Sequence, residues 1–120
     1  MRVFYVFNLF LIMLLIVSCN TSSFAEIRAF LPDISDKTNG VYRGHYSVSR
    51  TPVRVTLDVT VENNNIIEIR IIQHTSSKIG KRAEIITQGI IEEQSLEIDT
   101  ISGATASSKA ILKAVENALQ

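Results

Sequence analysis

The sequence is short of the residues that staple or metallate a small fold. It has one cysteine and two histidines among 120 residues. One cysteine closes no internal disulfide and builds no Cys-rich zinc site, and two histidines make no metal centre without a third ligand. A charge excess is also missing, because 12 Lys and Arg residues cancel 12 Asp and Glu. That excludes a strongly basic nucleic-acid binder and an acidic tail protein. There are no internal repeats or low-complexity tracts. What is present is apolar. The chain is 46% hydrophobic and 20% charged, which excludes disorder, and its length allows one domain.

Much of that apolar content lies at the N-terminus. Residues 3–18 (VFYVFNLFLIMLLIVS) follow Arg2 and are interrupted only by Asn8. A basic start, an apolar core and small residues make the layout of a secretory signal. The run falls short of the roughly 20 residues of a committed membrane span. Ile16-Val17-Ser18-Cys19 resembles a bacterial lipobox, in which the cysteine becomes the first mature residue and carries acyl chains. Such chains would hold the protein on a membrane surface. Ser23 and Ala25, small and two apart, offer a rival cut by the ordinary signal peptidase after Ala25. The expected division is a lipoprotein-type signal peptide at 1–18, a tether at 19–37 and a folded domain at 38–120. Losing 18 of 120 residues leaves 102 with a net charge of −1, enough chain to fold alone without disulfides.

Periodicity outlines the domain. Residues 41–48 are β-like, with Gly44 suggesting a short or bulged strand. Residues 53–61 alternate strictly, placing Val53, Val55, Leu57, Val59 and Val61 on one face. Only a strand with one dry face explains that pattern. Asn63-Asn64-Asn65 predicts a hairpin turn, since asparagine tolerates positive φ. The return strand, 66–72, is expected to face Ile67, Ile69 and Ile71 inward, and polar residues 73–77 then close the hairpin. Residues 78–93 carry Ile79, Ala83, Ile86 and Ile90 at helical spacing, weakened by Gly89. Residues 96–98 read as a brief strand. Residues 106–119 read as a helix with an apolar stripe of Ile111, Ala114, Val115, Ala118 and Leu119, leaving Lys109, Lys113 and Glu116 off it. The fold class is α+β, a small antiparallel sheet of three to four strands covered on one face by two helices.

The segment between the last strand and the last helix has an unusual composition. Asp99-Thr100-Ile101-Ser102-Gly103-Ala104-Thr105-Ala106-Ser107-Ser108 packs five hydroxyls and a glycine against a helix start. First-turn N–H groups lack partners and carry partial positive charge. Glycine lets a ligand approach and hydroxyls add donors, so the segment suits a phosphate. Ordinary capping by serine or threonine is the competing reading.

Ser102-Gly103-Ala104-Thr105, with Asp99 ahead and Ser107-Ser108 behind, resembles the flavinylation motif of FMN-binding domains. That family includes one component of the sodium-pumping NADH:quinone reductase, its counterpart in the related Rnf complex, and many small secreted or lipid-anchored proteins. Asn39-Gly40-Val41-Tyr42-Arg43-Gly44 is similar to the family's opening motif, His74 lies where a histidine is frequent, and Gln94-Ser95 is a common pair there. The sequence departs from the pattern at Asn39, at the 63–65 turn and at Ser107, where aspartate, Asp-Gly and threonine are usual. The resemblance implies that Thr105 is joined to FMN by a phosphoester, with Ser102, Gly103, Ala104, Ser107, Ser108 and Asp99 around it. It implies a separate flavin transferase that draws on FAD, uses magnesium and releases AMP. Redox chemistry would then belong to the cofactor, and no side chain of this protein would serve as acid, base or nucleophile in turnover. Asp99 would serve transferase recognition or magnesium, or stand as a solvated carboxylate. Tyr42 and Tyr46 would touch the flavin ring or join the core. Lys81 and Arg82 would meet phosphate or partner, or form a solvated face. The function expected is that of an exported, lipid-anchored electron carrier working with a membrane redox partner. A non-covalent phosphate or flavin binder and a structural envelope lipoprotein are the alternatives.

Overall fold

The computed structural model describes residue 27 and residues 29–120. The segment expected to be a signal, with Cys19 and Ala25, and the start of the expected tether lie outside the described residues. No helix among the described residues is long and apolar enough to cross a membrane.

Three strands form an antiparallel meander in the order β1 (Gly40–Ser47), β2 (Arg54–Glu62), β3 (Asn65–Thr75). A 3-10 turn at Gly80–Ile85 runs into α1 (Ile86–Glu93), and α2 (Thr105–Leu119) closes the chain. The architecture is α+β, one sheet covered on one face by helices. On β2 the alternation holds throughout, with Val55, Leu57, Val59 and Val61 all buried. The turn after it puts Asn63 and Asn64 at φ 50° and 62°, the left-handed region where asparagine is favoured. Ile111, Ala114, Val115, Ala118 and Leu119 of α2 are buried together with these residues. Glu116, expected off the apolar stripe, is also buried. It accepts hydrogen bonds from Lys113 Nζ (2.7 Å) and Gln120 Nε2 (3.2 Å).

The return strand departs from simple alternation. Its register with β2 slips twice, between Thr60 and Val61 and between Thr56 and Leu57. The unpaired residues are Ile67 and Ile72, and both are exposed. Each bulge inserts one residue and inverts the alternation beyond it. The inward residues are therefore Ile66, Ile69, Ile71 and His74, where even spacing had pointed to Ile67, Ile69 and Ile71. The bulge expected at Gly44 is absent, since β1 and β2 pair without a slip. Gly44 instead clears space for α2. A Cβ there would fall on the Ala114 carbonyl oxygen and lie 2.8 Å from Ala118 Cβ.

Residues 78–93 are not one helix. Gly80, Ala83 and Ile86 are buried three apart, the period of a 3-10 turn, and the four-residue α spacing begins only from Ile86 to Ile90. Ile79 lies outside that stripe and is 54% exposed. The short strand expected at 96–98 does not form. Gln94, in the left-handed region at φ 50°, explains why. Its side chain accepts from the Ile66 N–H (2.9 Å) and donates to the Ile66 carbonyl (2.8 Å). The start of the β3 edge is thus satisfied by one amide, and Leu96 is buried without strand pairing.

Two polar clusters complete the domain. Lys37 donates to the Leu119 and Gln120 carbonyls and lies over the Tyr42 ring, a favourable place for a cation at a helix C-terminus. On the open face of the sheet, Asp58 is buried under Arg43, which donates from Nε (2.7 Å) and Nη2 (2.9 Å) to its two carboxylate oxygens. Those bonds hold the Asp58 carboxyl below the ordinary carboxylate range. Burial opposes the shift, while the Arg43 charge and Arg70 add to it.

Candidate functional site

The loop before α2 is held by a backbone turn and by one hydroxyl from the helix itself. The Ala104 N–H bonds the Ile101 carbonyl at 2.9 Å, closing a tight turn. Gly103 is third in that turn, at φ 78°, where a type II turn demands glycine. Ser108, fully buried, reaches back to brace it. Its Oγ accepts from the Ile101 N–H (3.0 Å) and donates to the Ala104 carbonyl (2.8 Å). Ser107 is 2% exposed.

The opening of α2 faces out. Ser102, Gly103 and Thr105 are exposed, and Thr105 is the first helical residue. The residue before it is Ala104, and no side chain caps the helix. Capping is therefore not the work of this run of hydroxyls. The first helical N–H groups fall where a helix supplies no carbonyl, and they lie beside an exposed threonine hydroxyl and a glycine without a side chain. A phosphate ester at Thr105 fits this surface, with N–H donors and the positive end of the helix dipole beside it.

The other sequence candidates separate. Asp99 is exposed in the segment leading into the loop. Tyr42 donates to the Thr38 carbonyl at 2.6 Å beneath Lys37. It therefore sits at the far end of α2, a helix of 15 residues and about 22 Å. Tyr46 packs on the core. His45 lies exposed on β1 within reach of Thr56 and Ser47, while His74 is buried on β3. No group of metal-ligating side chains forms among the described residues. Lys81 and Arg82 are exposed on the 3-10 turn.

Sequence reasoning missed two neighbours of the loop. The first is the turn at 76–80. A Cβ on Gly80 would stand 2.7 Å from both Ser76 Oγ and Ser107 Oγ, and Ile79 Cγ2 lies 3.4 Å from the place of a Cβ on Gly103. No local pattern marked that turn, since Gly80 stands between Ile79 and Lys81. The second is an apolar cleft of about 240 Å³ beside α2, bordered by Phe30, Ile98, Thr100, Lys109 and Leu112. Lys109 and Leu112 follow Thr105 by four and seven residues, which sets them on its face of the helix. The Phe30 side came from a stretch read only as tether.

The sheet, the covering helix and the outward-facing helix start define a small α+β domain with an open helix N-terminus. The model of one family, the FMN-binding domain, matches residues 51–120. The chain belongs to the FMN-binding domain family, and FMN is the cofactor that membership supports. The match takes in β2, β3, both helices and the whole 99–108 loop.

Proposed function

We propose that this protein is an exported flavin carrier whose FMN is joined to Thr105 through a phosphoester. The observation that carries the reading is an exposed threonine at an uncapped helix start, in a chain of the FMN-binding family. In the attachment step the Thr105 hydroxyl oxygen bonds the FMN phosphorus of FAD. The pyrophosphate bond breaks, AMP leaves and the hydroxyl proton is released. Among the described residues, Thr105 has no hydrogen-bonded base to activate it, so a separate flavin transferase with magnesium performs the step. FMN, once bound, supplies the electron-transfer chemistry.

The chain's own residues do the holding. Gly103 leaves the approach open, and Ser102 offers a hydroxyl beside it. Ser108 keeps the turn rigid from within, and Ser107 supports it from the side of the 76–80 turn. Asp99 stands free to meet the transferase or its magnesium. The segment before the domain reads as a lipoprotein signal with Cys19 as the acylated residue, or as an ordinary signal cut after Ala25. Either delivers the domain outside the cytoplasm, where a membrane redox complex is its partner. The test is the mass of the denatured protein after co-expression with a flavin transferase. Covalent FMN survives denaturation. Flavin that is lost on denaturation would mean non-covalent binding.

A further inference from the structure

The His74 side chain is 1% exposed, and its Nδ1 lies 2.8 Å from Glu84 Oε1 on the 3-10 turn. Its Nε2 is buried without a hydrogen bond, the one such side-chain atom among the described residues. Glu84 is thus the one hydrogen-bond partner of a buried polar ring. A buried polar group with an unmet atom is costly, and such a group calls for an explanation.

The bond joins residues ten apart and closes the loop between them. Inside it, the Gly80 N–H donates to Ser77 Oγ and the Lys81 N–H to the Ser77 carbonyl, each at 3.1 Å. One face of Gly80 meets Ser107, and Ile79 meets Gly103. Those two contacts fall two residues before and two residues after Thr105. The loop that His74 and Glu84 tie shut therefore brackets the threonine.

We propose that His74 is a positioning residue of the flavin seat. Its bond to Glu84 holds the 76–80 turn against Gly103 and Ser107, and so fixes the backbone that presents Thr105. The inference deepens the reading of Thr105 as the attachment point and rests on it. His74 acts through the turn, without touching the cofactor.

The two ring nitrogens can be separated by substitution. The amide nitrogen of asparagine stands near the place of Nδ1, and that of glutamine near the place of Nε2. The experiment uses the full chain with His74→Ala, His74→Asn, His74→Gln and Glu84→Ala. The Glu84 side chain is 41% exposed, so Glu84→Ala tests the bond on a folded chain even where His74→Ala melts it. The first readout is the backbone amide resonances of Gly103 and Thr105 without flavin. The second is the rate of FMN mass gain with transferase, FAD and magnesium. His74→Ala, His74→Gln and Glu84→Ala should shift both resonances and slow the gain about tenfold, as expected of a displaced reacting group. His74→Asn should restore both readouts. Unmoved resonances in Glu84→Ala would overturn the proposal, and so would a His74→Asn protein as disturbed as His74→Ala. If the wild-type chain gains no mass, the Thr105 reading fails, and the resonances alone still decide whether the bond sets the loop.

Discussion

Gly44→Ala is the sharpest test of how α2 is seated. The added Cβ would fall on the Ala114 carbonyl oxygen and lie 2.8 Å from Ala118 Cβ. A crowding side chain could turn away, but a helix carbonyl cannot. Relief requires α2 to lift from β1, drawing Ile111 and Val115 off Val55, Leu57 and Val59, all of which are fully buried. Overpacking costs about 1–3 kcal/mol where side chains can yield, and an immovable obstacle places this case near 3 kcal/mol. Replacing glycine inside a strand returns roughly 0.5–1 kcal/mol. The net loss is then about 2–2.5 kcal/mol. For a domain of this size that lowers Tm by roughly 8–20 °C. Thermal melts followed by far-UV circular dichroism measure it. Adding Ala118→Gly should recover little, because the carbonyl remains. A Gly44→Ala protein melting within about 2 °C of wild type would refute this seating of the helix.

Three further outcomes follow from the loop and the open face of the sheet. Ser108→Ala removes the brace to Ile101 and Ala104 and should cost about 1–3 kcal/mol in denaturant melts, as a buried donor left unmet does. An unchanged midpoint would contradict the brace. Gly103→Ala puts a side chain at φ 78°, with a cost of about 1–2 kcal/mol and faster exchange of the Ala104 N–H. Equal exchange in the two proteins would count against the turn. Asp58 has a carboxyl held low by Arg43, so its contribution is present above the unfolded pKa and is lost as pH falls through the folded one. The stability gap between wild type and Asp58→Asn should be widest near neutrality and close below about pH 4. A gap that stays flat between pH 7 and 2 would rule out the linkage.

The sequence announced its strongest periodic elements and concealed its irregular ones. β2 was legible because four consecutive inward positions are β-branched or leucine, and α2 because its stripe repeats at helical spacing. β3 was legible as a strand but not in its facing. Isoleucine stands at 66, 67, 69, 71 and 72, and nothing in that run says which two drop out as bulges. Gly44 announced a break in the strand, whereas its task is to admit a helix from far along the chain. The strand expected at 96–98 failed because a single side chain, Gln94, had already taken the start of the β3 edge. At the site, the hydroxyl-rich loop was visible from composition. Which hydroxyls face out was not. Thr105 and Ser102 do, while Ser107 and Ser108 are turned into the domain by the helix. The support from the 76–80 turn and from His74 comes through tertiary contacts alone, and no local pattern reports it.

Thr105 is the residue proposed to carry the flavin. The most direct measurement is the intact mass of the denatured protein after co-expression with a flavin transferase, for wild type and Thr105→Ala. An added mass of FMN less water is expected in the wild type and none in the variant. An unmodified wild type, or a variant that still gains the mass, would contradict that assignment.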